Sequence, residues 1–140
     1  TIDAMIAEKG YLNEVESMFD GMFFGAAPSW KADKLAQVLA MPESTGIPMI
    51  RSVSTWDATD LEDALDAMDV PVHVIQNTTM DFNRVRKEIA LDELSPFQQV
   101  VLEKVADVTS ETLPAGHFSM LEIPELVNAG IERFIAEKII

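Results

Sequence analysis

One side chain in this sequence is placed to move protons: His117, in the stretch Leu113-Pro114-Ala115-Gly116-His117-Phe118-Ser119-Met120-Leu121-Glu122-Ile123-Pro124-Glu125-Leu126. It follows a Pro/Gly turn and stands between a short apolar run and an amphipathic segment. Imidazole is the one side chain whose ordinary pKa lets it both take and return a proton near neutral pH. A nucleophile for this histidine to serve is missing: the chain has no Gly-x-Ser-x-Gly and no Cys, so serine-elbow and thiolate chemistry are absent from it.

The elements that must carry these residues follow from periodicity. Residues 2–24 read as helical with a break at Gly10, 25–29 as a turn, and 32–41 as a second helix with Leu35, Val38 and Leu39 on one face. The segment 42–48, bounded by Pro42 and Pro48, predicts an interruption; a short helix follows over 49–55 and another over 60–68. From Asp69 the character changes. The β-branched run 70–75 predicts a buried strand and 108–113 a second one. Helices are predicted over 84–91, over 96–105 with Ser95 as N-cap before Pro96, and over 124–140 with Leu126, Val127, Ile131, Phe134 and Ile135 facing inward. The second half therefore reads strand, helix, strand, helix, the order of a parallel α/β sheet.

Composition narrows the partners. A net charge of −14 opposes binding to nucleic acid, which needs Lys and Arg against phosphate, and to anionic membrane surfaces. No apolar run approaches the roughly 20 residues of a membrane span. The N-terminus lacks the basic and apolar regions of a signal peptide, so a cytoplasmic location is expected. Thr1 stands where an initiator Met would, which predicts a cleavage point or a fragment edge; an N-terminal threonine nucleophile finds no support in the pattern downstream.

Two strands are too few for a buried parallel sheet, because their edges would stay open. A larger sheet completed from upstream removes the difficulty. The run 70–75 followed by Gly116-His117-Phe118, Leu121-Glu122-Ile123-Pro124-Glu125, Val127-Asn128 and Ile131 to Phe134 resembles the C-terminal half of the α/β-hydrolases, from about Asp57 onward. The resemblance implies a helical cap-like segment over 1–60 and the C-terminal part of the hydrolase core over 61–140. It also implies a Ser-Asp-His triad whose His117 and Asp81 are on this chain while the nucleophile and oxyanion donors are on a separate upstream chain. Two departures accompany it. Asp81 comes one residue later than the family's usual acid, and Asn77 stands where a glycine is usual.

Each candidate has a plainer reading beside it. Asp81 could cap a helix over 84–90, with Asp57 then the reserve acid. His73 is expected to be a satisfied sheet-face residue. Arg84 and Arg86 could pair with a substrate carboxylate; on so acidic a chain the expected partners are nearby Glu and Asp. The cluster of Met18, Phe19, Met22, Phe23, Phe24 and Trp30 suits a cap core, and Phe23, Phe24, Trp30 and Phe118 are the candidate substrate-contacting residues. The expected function is hydrolysis, through an acyl-enzyme, of an ester, thioester, lactone or amide with a small apolar moiety, with neither metal nor organic cofactor. The alternative is an acyltransferase or a non-catalytic, ligand-binding member of the same fold; a small independent interaction module is the remaining class.

Overall fold

The structure is a computed structural model that describes residues 2–81 and 85–139. The chain divides into two compact units, Thr1–Leu61 and Glu62–Ile140. The first is helical: α1 (Ile2–Lys9), α2 (Tyr11–Asp20), α3 (Lys31–Leu39) and α4 (Glu43–Thr59). Gly10 separates α1 from α2 at φ 83°, a conformation open to glycine at little cost. Tyr11, Val15 and Phe19 form the buried face of α2, as a helical spacing of four requires. Glu14 lies on that face too, buried with its carboxylate 3.2 Å from Lys9 Nζ.

The predicted interruption at 42–48 is a misreading of the two prolines. Pro42 is the N-cap of α4, and Pro48 lies inside a continuous 17-residue helix. Pro48 gives up only the bond to the Ser44 carbonyl, a loss less disruptive near a helix start than deep inside one. Packing compensates at Gly46, which is buried; a Cβ there would collide with the Tyr11 hydroxyl. The short helix expected over 49–55 is the middle of this longer one.

In the second unit, α5 (Leu61–Asp66) leads to β1 (Val72–Ile75), β2 (Thr78–Met80), β3 (Arg86–Glu88), α6 (Pro96–Lys104), β4 (Val108–Glu111), α7 (Ser119–Glu122) and α8 (Pro124–Lys138). β1 and β4 pair in parallel with Val72 opposite Val108 and Ile75 opposite Glu111. The predicted parallel relation therefore holds, and the fold is mixed α/β. Residues on one strand alternate between faces. Ser110 meets α6 through Gln98, while His73, Thr109 and Glu111 meet α8 on the other face. The pair is thus a layer between two helices.

The helix predicted over 84–91 is corrected. β2 and β3 form an antiparallel hairpin, with Thr78 opposite Glu88 and Met80 opposite Arg86; Arg84 lies outside the described residues. The segment lacks apolar alternation, so the period of two was hidden, and cross-strand pairing decides the matter instead. The α8 prediction holds in extent but only partly in facing. Val127 and Gly130 are buried, whereas Leu126, Ile131 and Ile135 are exposed.

One side chain ties this unit together. Gln98 is fully buried. Its Oε1 accepts from Ser95 N at 2.8 Å while Ser95 Oγ accepts from Gln98 N at 3.0 Å, a capping box at the start of α6. Its Nε2 donates to Ser110 Oγ at 2.9 Å and Thr112 Oγ1 at 3.2 Å. Replacing Gln98 by Ala removes its three side-chain bonds, to Ser95 N, Ser110 Oγ and Thr112 Oγ1, and opens a cavity. The expected loss is about 3 kcal/mol, read as a lower denaturation midpoint with unchanged slope; a loss below about 0.5 kcal/mol contradicts this role.

Candidate functional site

The carboxyl ends of β1 and β4 are laced to one another. Gln76 N donates to the Glu111 carbonyl at 3.1 Å, and Leu113 N donates to Asn77 Oδ1, also at 3.1 Å. Asn77 is buried, and its carbonyl accepts from Ile89 N at 3.0 Å beyond β3. The Asn77 side chain and carbonyl thus bridge the two strand exits and the end of the hairpin. It brings the β2–β3 hairpin and the turn after β4 side by side, at the end of a parallel sheet where such folds place their ligands.

His117 stands on that turn. Glu122 holds it from below: its carboxylate accepts from Gly116 N at 2.9 Å and from Phe118 N at 3.1 Å, one donor on each side of the histidine. Two charge-assisted bonds to flanking amides fix the turn without engaging the ring. The His117 ring meets Phe118 edge-on, with centroids 5.2 Å apart.

The group at Nδ1 of His117 is Arg86. Its Nη1 lies 3.3 Å from that nitrogen and donates to Thr78 Oγ1 at 2.9 Å. A guanidinium has only protons to offer, so Nδ1 accepts and the neutral ring carries its proton on Nε2. That tautomer is the reverse of the one a triad uses, where Nδ1–H points at the acid and Nε2 takes the nucleophile's proton. Partial burial of the ring, then the charge of Arg86, hold His117 below its ordinary pKa, with Glu122 pulling the other way. Burial lowers Arg86 as well, which nonetheless stays charged near neutrality.

Asp81 lies at the end of β2, not at a helix start. Its carboxylate accepts from Val85 N at 3.0 Å and stands 3.4 Å from Lys87 Nζ. Asp81 and Arg86 thus share one hairpin, and it is Arg86 whose contact with the His117 ring is described. The reserve candidate Asp57 is exposed on α4. His73 is a satisfied sheet-face residue: Nδ1 lies 2.8 Å from Thr109 Oγ1, Nε2 lies 3.1 Å from Glu111 Oε1, and the ring stacks on Phe134 at 5.3 Å. Glu111 also accepts from Arg133 Nη2 at 2.7 Å. Thr1 lies outside the described residues.

In the first unit Phe23 packs between Phe19 and Trp30, with centroids 5.1 Å and 5.5 Å away, and Lys31 Nζ sits 4.7 Å from its ring. Phe23, Phe24 and Trp30 are half-buried, as is Phe118 in the second unit. Among the described residues no group of three or more His, Cys, Asp or Glu is arranged to hold a metal ion. No helix among them is long and apolar enough to cross a membrane.

Arg86, expected to pair with nearby Glu and Asp, has instead two neutral partners among the described residues, Thr78 Oγ1 and His117 Nδ1, because the hairpin that places it was hidden in the charged run. The available signal was Thr78-Thr79, a β-favouring pair that opens a strand. Comparison with family models, with curated proteins and with solved structures finds no match to this chain.

The depressed pKa has a definite sign in stability. The unfolded chain, with its histidine near pKa 6.5, binds more protons than the folded one between the lowered value and 6.5. Stability therefore rises with pH across that window; the contribution is complete above about 6.5 and is lost as pH falls through the folded value. The His117 ring resonances are expected to titrate with a midpoint below that of the denatured chain, and Arg86→Gln to move the midpoint upward. A native midpoint at or above about 6.5 contradicts the Arg86 contact.

Proposed function

We propose that this chain is the C-terminal part of an α/β-hydrolase in which His117 carries the proton of an acyl-transfer reaction. The observation that carries the reading is the position of His117. It stands at the carboxyl end of a parallel strand pair flanked by two helices, on a turn pinned by Glu122 so that the ring faces outward. The remaining strands, the nucleophile and the oxyanion donors belong to an upstream chain. Two features favour such a partner. Among the described residues β1 pairs only with β4, so each strand keeps one edge without a ladder, a situation proteins avoid. Leu126, Ile131 and Ile135 of α8, with Met120 and Leu121 of α7, are also exposed.

In the assembled enzyme the sequence of events is that of the family. The nucleophile attacks the carbonyl carbon as Nε2 of His117 takes its proton. The tetrahedral intermediate collapses, the leaving group takes that proton, and water repeats the cycle on the acyl-enzyme. The required tautomer needs an acid at Nδ1. Asp81 supplies it by displacing Arg86, its neighbour on the same hairpin. Substrates are small esters, thioesters, lactones or amides with an apolar part, met at the turn by Phe118. The Arg86 contact favours a second reading, a ligand-binding relative in which His117 donates from Nε2 and performs no turnover.

A fluorophosphonate probe on material purified with its upstream partner separates the two. Labelling of the partner chain is expected, falling at least about a hundredfold in His117→Ala and in Asp81→Asn, with the assembly intact by intact-mass analysis. Unimpaired labelling in His117→Ala, or no labelling of either chain, defeats the hydrolase reading.

A further inference from the structure

Arg86 departs from the charge pattern of the rest of the chain. The sequence holds 24 Asp and Glu against 10 Lys and Arg, so cations find carboxylates easily. The other described arginines do so: Arg51 with Asp3 and Arg133 with Glu111, at 2.8 and 2.7 Å. Arg86 is half-buried, and among the described residues its guanidinium has only neutral partners, Thr78 Oγ1 and His117 Nδ1. A partly desolvated cation without a counter-charge is costly to keep, and its other N–H groups form a fork matched to a planar anion.

His117 adds to the same surface. Because Arg86 occupies Nδ1 as donor, the Nε2 proton is also presented as a donor. Two adjacent donor groups, one of them positively charged, thus stand beside the strand ends, on a half-buried Arg86 and an exposed His117. The two segments that carry them continue into an open cleft of about 360 Å³ lined by Ile89, Leu91, Leu113, Pro114 and Ala115, with Asn77, Ala90 and Glu88 completing its wall. The lining mixes the apolar side chains of Ile89, Leu91 and Leu113 with polar surface. The Glu88 carboxylate is exposed, and it disfavours a second negative charge along the cleft.

From this arrangement we infer that Arg86 and His117 form a binding site for the carboxylate of a small apolar acid, whose hydrocarbon part lies along the Leu91–Leu113–Pro114 cleft. The guanidinium takes the carboxylate as a fork, and Nε2–H of His117 donates to it. The site rests on the geometry of this chain alone and requires neither turnover nor an upstream nucleophile; it belongs to the state in which Arg86 meets Nδ1 of His117, which the hydrolase cycle would have to replace.

The test is a titration of the full chain with hexanoate, followed through the His117 ring resonances and by calorimetry. Hexanamide, isosteric and neutral, and inorganic phosphate run in parallel. Saturable binding of hexanoate is expected, with a rise in the His117 titration midpoint when it is bound. Hexanamide is expected to bind about tenfold more weakly or not at all. Arg86→Gln should weaken hexanoate by a similar factor and Arg86→Lys by less, since Lys keeps the charge and loses the fork. Leu91→Ala should weaken hexanoate but not acetate. Equal binding of acid and amide, unchanged affinity in Arg86→Gln, or binding of phosphate in preference to hexanoate overturns the assignment. Because no step is a reaction, failure here is distinct from failure of fluorophosphonate labelling.

Discussion

The amide of Gln98 does in one place what several contacts usually share. Its oxygen closes the first turn of α6, and its nitrogen reaches the hydroxyls of Ser110 and Thr112 at the exit of β4. A helix start and a strand end are thereby fixed to one another by a group with no exposed surface. Everything described around His117 leaves from that strand end: the Leu113 amide on Asn77, the turn through Gly116, and the Glu122 carboxylate below it. A buried amide is stabilising only when all its bonds are made, and here both its oxygen and its nitrogen are engaged. The precision of the His117 turn thus rests on a side chain that never approaches the ring.

Charge then decides what the turn presents. A histidine beside a carboxylate becomes more basic, and its Nε2 a better acceptor; a histidine beside a guanidinium becomes less basic, and its Nε2 a donor. The β2–β3 hairpin holds one group of each kind, Asp81 and Arg86. The difference between a proton-abstracting imidazole and a ligand-binding one comes down to which of the two meets Nδ1. Neither fold nor composition makes that distinction.

Much of the second unit was legible in the chain. The β-branched run at 72–75, the Ser95-Pro96 start of α6 and the Pro124 start of α8 are local signals that tertiary packing reinforces. What misled were residues whose meaning is set by neighbours far away in sequence. Pro48 reads as a break, yet Gly46 beneath Tyr11 anchors a helix that runs past it. Arg86-Lys87-Glu88 reads as a helix surface because its partner, Thr78-Thr79-Met80, has no apolar alternation to mark a sheet. The site shows the same division. His117 and its turn are visible as a local motif, while its contact with Arg86, 31 residues upstream, depends on a hairpin that periodicity does not show.

The parallel pairing of β1 with β4 also has a kinetic side. His73 and Thr109 face one another across 36 residues of chain, so the first bond between these strands closes a long loop before any neighbouring bond can stabilise it. The β2–β3 hairpin and α6 lie inside that loop and need only local contacts. Chains of this kind collapse locally first and register their parallel strands late, as topologies rich in distant contacts fold slowly. The turn bearing His117, which comes after β4, is then among the last parts of the unit to reach its final geometry during folding.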